Sequence, residues 1–434
     1  MPKRGGTGLL IRGGLVIDPA QKLEAVRDIL LEDGKVKEIG VNLSARTALR
    51  AVQCLDAAQT WVVPGLIDMH VHLREPGRQS DETIATGALA AARGGITTVL
   101  AMPNTEPPVD NPSSVHFIKA KAASEAVVNV LIAGAATVGQ KGERLTEFSR
   151  MASAGISAVT DDGRPLLNSE LMRRALEYAR DCGLPLIDHC EDENLSAGAP
   201  VNEGLAATVK GLRGIPWASE TVMVLRDIAL AELTGAHVHI AHISAAQSVA
   251  AVRLAKKRGL PVTAEATPHH FSLCDADIKG YNADFKMNPP LRGENDQEAV
   301  LAGLADGTID AIATDHAPHG PGEKALAMAL APFGVIGLET SLALALTKLV
   351  ERKILNRRQL VERMSAGPAK ILGLKNKGHL KPGADGDITI IDPGVSWKVE
   401  APFASKSRNS PFIGMKLNGR ARAAIVGGRV VHAL

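Results

Sequence analysis

Five short apolar runs in this chain each finish on a side chain suited to a metal ion. They are GLIDMHVH with His70 and His72, ISAVTDD with Asp162, LPLIDH with His189, HIAH with His242 and IDAIATD with Asp315. If each run is a buried parallel strand, its last residues lie on one rim, and imidazoles and carboxylates far apart in sequence converge there. Four imidazoles and two carboxylates suit two divalent ions, and the nitrogen-rich set favours zinc. In that arrangement one ion takes His70, His72 and Asp315, the other takes His189 and His242, and Asp162 bridges them. Two neighbouring ions acidify a shared water and polarise a carbonyl. The chemistry implied is hydrolysis, or its reverse, at an amide-like or ester-like carbon.

Taken singly the signals are uneven. His70 and His72 are two apart, so an extended strand points both to one face. Asp161 and Asp162 precede Gly163 and by themselves also read as a turn. A single histidine such as His189 at a strand end also reads as structural. In HVHIAHIS, alternation sets His242 opposite to His237 and His239. His242, nearest the strand end, is assigned to the site and His239 to wall or core. Asp315 closes a buried run and requires a cation or a hydrogen-bond network.

The flanking elements predict how such residues are positioned. The first sixty or so residues alternate short β-prone runs with Gly, Asp and Pro, and Asp33–Lys35 (DGK) sits where a hairpin turn belongs. From Val62 to Gly367, apolar strands alternate with Ala- and Leu-rich stretches such as ETIATGALAAARGG and PLLNSELMRRALEYARDCG. Gly94, Gly95 and Gly183 stand where helices should stop. This alternation predicts an α/β fold with a (β/α)8 TIM-like barrel. After Gly367 the β texture returns. Each terminus supplies too few strands for a stable sheet alone, so both are expected to build one small β domain. The predicted division is 1–61 and 368–434 for that domain and 62–367 for the barrel.

Composition narrows the class. Apolar content of 45% and charged content of 22% are ordinary for a globular chain, which argues against disorder. Lys+Arg of 49 against Asp+Glu of 47 gives no electrostatic reason to expect nucleic acid or an anionic membrane. Aromatic content of 3% provides no stacking platform for single strands. Cys54, Cys182, Cys190 and Cys274 lack CxxC spacing and read as reduced thiols. The basic N-terminus carries too short an apolar stretch for a signal peptide, and no segment is apolar for long enough to span a bilayer. The expectation is a soluble cytoplasmic protein.

The motifs DMHVHLREPG (Asp68–Gly77), AMPNTEP, TDDG, KMNPPLR, ATDHAPH and FGVIGLET closely resemble bacterial dihydroorotases of the longer, first type, within the amidohydrolase superfamily. The resemblance runs in order from about residue 8 to the C-terminus. It implies a cytoplasmic enzyme of de novo pyrimidine synthesis that interconverts N-carbamoyl-L-aspartate and (S)-dihydroorotate through zinc-bound hydroxide. It implies zinc ligation by His70, His72, Asp162, His189, His242 and Asp315, with Asp315 as the catalytic proton shuttle. Two zinc ions per subunit are expected. Many relatives bridge their metals with a carboxylated lysine. Here the matching residue is Asp162, whose shorter reach makes a one-zinc form the alternative. Substrate contacts implied are His72, Arg74, Asn104 and His319, with Asn288 and the Phe333–Gly334 backbone on the pyrimidine ring. The planar guanidinium of Arg74 suits a carboxylate. A homodimer is implied, with aspartate transcarbamoylase as a candidate partner.

Two competing functions remain from sequence. One is another cyclic amidohydrolase (hydantoinase, dihydropyrimidinase or allantoinase), against which Asp162 argues. The other is a non-catalytic dihydroorotase-like partner of the transcarbamoylase, against which the filled ligand positions and Arg74 argue. The Gly-, Ala- and Pro-rich segment 317–332 is expected to move over the site.

Overall fold

A computed structural model of the chain describes residues 8–43 and 52–434, and the basic stretch at residues 1–7 lies outside the described residues. The N-terminal strands are β1 (Gly8–Asp18), β2 (Leu23–Glu32), β3 (Lys35–Gly40), β4 (Val52–Asp56) and β5 (Trp61–Pro64). Asp33 (φ 51°) and Gly34 (φ 76°) make the two-residue turn between β2 and β3. Positive φ at both positions is what a tight hairpin with right-handed strand twist requires.

The chain then runs through β6 (Leu66–Val71), β7 (Ile96–Ala101), β8 (Asn129–Ala135), β9 (Ala158–Thr160) and β10 (Leu186–Asp188). A two-stranded excursion follows, β11 (Val201–Asn202) with β12 (Gly214–Ile215), and then β13 (Val238–Ile240), β14 (Val262–Ala266) and β15 (Ala311–Ile312). The C-terminal strands are β16 (Ile388–Lys398), β17 (Lys416–Val426) and β18 (Arg429–Ala433).

Apart from the excursion, β6 to β15 form one parallel eight-stranded sheet in chain order. Helices including Ile84–Arg93, Pro112–Glu125, Ser169–Asp181, Ala218–Thr234, Ala246–Lys257 and Glu294–Asp306 separate the strands. The sheet closes where the His72 N–H donates to the His316 carbonyl at 2.9 Å and Val71 bridges His316. Met69, Leu100, Ala133, Ala158, Ile187, Ala241 and Ala311 form one buried cluster. Val99, Val159 and Val238 pack into the larger core that the helices cover. Strands buried on both faces explain why the sequence shows continuous apolar runs rather than alternation.

Both termini join one sheet, in the order β18-β17-β16-β5-β1-β2-β3, with β4 also on β1. Its core contains Leu9, Ile11, Val16, Ile29, Val62, Ile388, Ile390 and Ile425. Val62, expected to open the barrel, instead pairs with Val16 and Ile390 in this sheet, and the first barrel strand begins at Leu66. Gly65 is the crossing point. A Cβ there would lie 2.1 Å from Thr97 Oγ1, so only glycine lets the two sheets approach this closely.

Candidate metal and substrate site

The six candidate ligands come from five strand ends and meet. His70 lies in β6 and His72 just beyond it; Asp162, His189, His242 and Asp315 follow β9, β10, β13 and β15. The pairing of β6 with β7 shifts register between Asp68 and Val71, at the segment that carries His70. His242 (φ 31°) and Asp315 (φ 47°) have left-handed backbones. Such turns in non-glycine residues concentrate where side-chain direction matters more than backbone ease. They also correct the alternation argument for HVHIAHIS, because β13 ends at Ile240 and His242 obeys no strand parity. His239 is fully buried, with Nε2 3.2 Å from Glu265 Oε2, so it lies in the core as expected.

Asp162 is the centre of the group. Its Oδ1 lies 3.2 Å from His70 Nε2 and 3.8 Å from both His189 Nδ1 and His242 Nε2, while Oδ2 is 3.5 Å from His72 Nε2. Asp315 Oδ1 lies 3.0 Å from His72 Nε2 and 3.6 Å from His70 Nε2. Two donor sets result, His70–His72–Asp162 and Asp162–His189–His242, each with its ligand atoms within 4.8 Å of one another. His70 Nε2 is buried and has no hydrogen-bond partner. A buried imidazole nitrogen with no hydrogen-bond partner, facing carboxylates, has the chemistry of a metal ligand. The residues fit a bound metal ion.

The electrostatics agree. Burial alone would lower the His70 pKa, but Asp162 and Glu265 raise it well above the ordinary value. Burial works the same way on His189, yet Glu191 and Asp162 push it up to about 9. Burial would raise Asp162, and the facing imidazoles, His70 first, hold it well below the carboxylate range. Asp315 is likewise lowered against its burial by His72 and His70. A field that retains protons on buried imidazoles favours any cation at the same point.

Three further acceptors orient the ligands. Glu265 Oε1 lies 2.8 Å from His70 Nδ1, Asn104 Oδ1 is 2.8 Å from His72 Nδ1, and Glu191 Oε2 is 3.0 Å from His189 Nε2. Sequence reading had placed Asn104 only among substrate contacts and had missed both glutamates. Glu265, a carboxylate inside the apolar strand VTAEA, was the available signal. Glu265→Gln is expected to weaken metal affinity about 10–100-fold with the barrel intact, read by competition with a chelator. Unchanged affinity would remove Glu265 from this role.

The seven proposed substrate residues all line one cavity of about 210 Å³, together with Asp162, His189, His242 and Asp315. That size suits a substrate smaller than a drug. A larger cavity of about 650 Å³ by Glu24, Trp61 and Arg357 contains none of these ligands. Arg74 Nε donates to the Pro318 carbonyl at 3.1 Å, and its Nη2 lies 3.2 Å from His319 Nε2. Asn288 Nδ2 donates to Glu191 at 2.7 Å. The Phe333–Gly334 backbone lines the cavity but is already engaged. The Phe333 carbonyl is 2.7 Å from His319 Nε2, and the Gly334 N–H donates to the Lys286 carbonyl at 3.0 Å. Within segment 317–332, Lys324 Nζ donates to the Pro332 carbonyl at 3.1 Å and to that of Gly334, just beyond it, at 2.9 Å.

A closed α/β barrel with a carboxylate-centred set of imidazoles at its C-terminal rim defines a metal-dependent hydrolase of the amidohydrolase kind. The family description "Dihydro-orotase-like" matches residues 60–248. The dihydroorotase of Citrifermentans bemidjiense is 54% identical over 425 residues, covering 98% of this chain and 99% of that protein. That of Pelotomaculum thermopropionicum is also 54% identical, covering 98% of each. Among solved structures, the L-hydantoinase (dihydropyrimidinase) of Arthrobacter aurescens superposes with a TM-score of 0.88 at 26% identity, covering 98% of this chain and 96% of that one. The dihydropyrimidinase of Brevibacillus agri gives 0.86 at 24% identity, covering 98% and 95%. The chain belongs to the dihydroorotase family, cyclic amidohydrolases of pyrimidine biosynthesis.

Proposed function

We propose that this chain interconverts N-carbamoyl-L-aspartate and (S)-dihydroorotate in the 210 Å³ cavity, with two zinc ions held by His70, His72, Asp162, His189, His242 and Asp315. The observation that carries the reading is the sharing of Asp162 between two donor sets beside a cavity lined by Arg74 and Asn104. When bound, the ions supply an acidified water and polarise the amide carbonyl. Asp315, anionic and within 3.0 Å of His72, accepts a proton from the attacking water and returns it to the ring nitrogen as the amide opens. Ring closure is the same path reversed. Arg74, Asn104 and His319 hold the substrate carboxylate, which keeps the reacting amide over the metal ligands. His72 touches substrate from the ligand side. Asn288, oriented by Glu191, and the Phe333–Gly334 backbone that lines the cavity face the ring.

The barrel, predicted as 62–367, is the catalytic domain, and the two terminal segments, predicted as 1–61 and 368–434, form its supporting domain. We place the enzyme in the cytoplasm as a homodimer, with aspartate transcarbamoylase as the proposed partner. Four unpaired cysteines and the absence, among the described residues, of a helix long and apolar enough to cross a membrane support that location. The test is turnover of dihydroorotate, hydantoin and dihydrouracil before and after chelation. Dihydroorotate should be strongly preferred, activity should vanish on chelation, and zinc should restore it. An active metal-free enzyme, or a preference for hydantoin or dihydrouracil, would sink the reading.

A further inference from the structure

The segment between β16 and β17 leaves the terminal sheet and reaches the rim of the barrel. Ser407 Oγ donates to the Asp81 carbonyl at 2.8 Å, and Ser405 Oγ bonds Glu82. Next along this strap, Asn409 is only 3% exposed. Its amide oxygen accepts the His319 N–H at 3.2 Å, and its amide nitrogen donates to the Ala317 and Gly334 carbonyls, each at 3.0 Å. Its own carbonyl accepts the Ile336 N–H at 2.9 Å. One buried side chain therefore joins two stretches of backbone that face the cavity, and those stretches lie 75 to 92 residues away in sequence.

The contact it fastens is tight. Gly334 has φ +127°, and a Cβ there would fall 2.6 Å from Ala317 Cβ and 3.2 Å from His319 Nε2. His319 Nε2 in turn lies 2.7 Å from the Phe333 carbonyl. Asn409 thus closes a ring of hydrogen bonds through Ala317, His319, Phe333 and Gly334. Only an amide supplies the acceptor and the two donors this ring uses: a carboxylate would face two carbonyls with lone pairs, and alanine would leave the carbonyls short of a buried partner. Asn409 is not among the groups that line the site's cavity or gather round Asp162.

We propose that Asn409 is a positioning residue for substrate recognition, by which the C-terminal strap fixes His319 and the Phe333–Gly334 backbone against the cavity. This rests on the reading that those groups bind substrate. A residue acting only on them should change binding and leave the chemical step alone.

The experiment compares Asn409→Ala, Asn409→Asp, His319→Ala and Ser407→Ala in the zinc-loaded full-length enzyme, measuring kcat, KM for dihydroorotate, zinc content and Tm. Both Asn409 variants should raise KM roughly tenfold or more, with kcat within about threefold of wild type and zinc content unchanged. Ser407→Ala, which loosens the strap elsewhere, should leave KM unchanged. If His319→Ala raises KM while a folded Asn409 variant does not, the proposal is overturned and the substrate reading stands. If His319→Ala itself leaves KM unchanged, the substrate reading falls. If Ser407→Ala raises KM as much as Asn409→Ala, or if kcat and zinc content fall with KM, Asn409 serves only general structure. Asn409→Asp keeps the acceptor and the size, so it carries the test if the alanine variant does not fold.

Discussion

Asp315→Asn is expected to lower turnover by about 10²–10⁴-fold in both directions while the barrel stays folded, the range a positioned general acid–base supplies. The carboxylate lies 3.0 Å from His72 Nε2 and lines the cavity, so it reaches both the imidazole cluster and the space proposed for the amide. Burial would raise its pKa, but the His72 contact and the nearby imidazoles lower it, so it is ionised throughout the neutral range. Asparagine preserves shape and one acceptor oxygen but takes no proton. Measuring kcat for ring opening and ring closure, with zinc content and Tm as controls, separates loss of proton transfer from loss of metal. A folded, metal-loaded Asp315→Asn enzyme with near-wild-type turnover would remove Asp315 from the mechanism.

Much of this site could be read from sequence because each ligand ends or follows a short apolar run, and burial on both faces makes such runs conspicuous. Closure of the barrel then brings positions as distant as His70 and Asp315 to one point. The hairpin at Asp33–Gly34 was legible for a similarly local reason, since its backbone needs positive φ at both residues. Alternation failed where the strand ended. His242 turns inward through a left-handed backbone that no period-two pattern encodes. The boundary near residue 61 was blurred because Val62 and Val63 are apolar in either sheet, and only the pairing of Val62 with Val16 and Ile390 and of Val63 with Thr389 assigns them. Glu265 stands out as a carboxylate in an apolar strand, but the orienting roles of Glu191 and Glu265 depend on which imidazole nitrogen faces the site, which sequence does not encode. Asn409 carries no local signal at all, its partners being 75 to 92 residues away.

The outer partners also explain why substitutions away from the rim should reach the chemistry. Glu265 contacts both His70 and His239, and its Oε1 also accepts the His242 N–H at 3.4 Å. A single buried carboxylate therefore fixes a ligand from β6 and the backbone of a ligand following β13. Burial would raise its pKa, but the hydrogen bonds from His239 and His70 push it down to about 2, so it remains an acceptor. The ligand geometry is thus set by charge beneath the site as well as by the strands around it.

Asp162→Ala is expected to have the largest effect of all: loss of most bound metal and a fall in turnover at least as great as that of Asp315→Asn. Asp162 is the one residue common to the two donor sets at the rim, and its oxygens lie within 3.2–3.8 Å of four imidazoles. Removing it would take a donor from both sets at once. It also leaves His70, His72, His189 and His242 facing one another without the central negative charge, which raises the cost of bringing any cation there. Losing a peripheral ligand such as His242 should be milder in metal content, because the set His70–His72–Asp162 survives. Metal analysis of Asp162→Ala and His242→Ala beside wild type, with turnover and Tm, makes the comparison. Full metal occupancy in a folded Asp162→Ala protein, or a greater metal loss in His242→Ala, would show that the two sets are independent and that Asp162 is not their bridge.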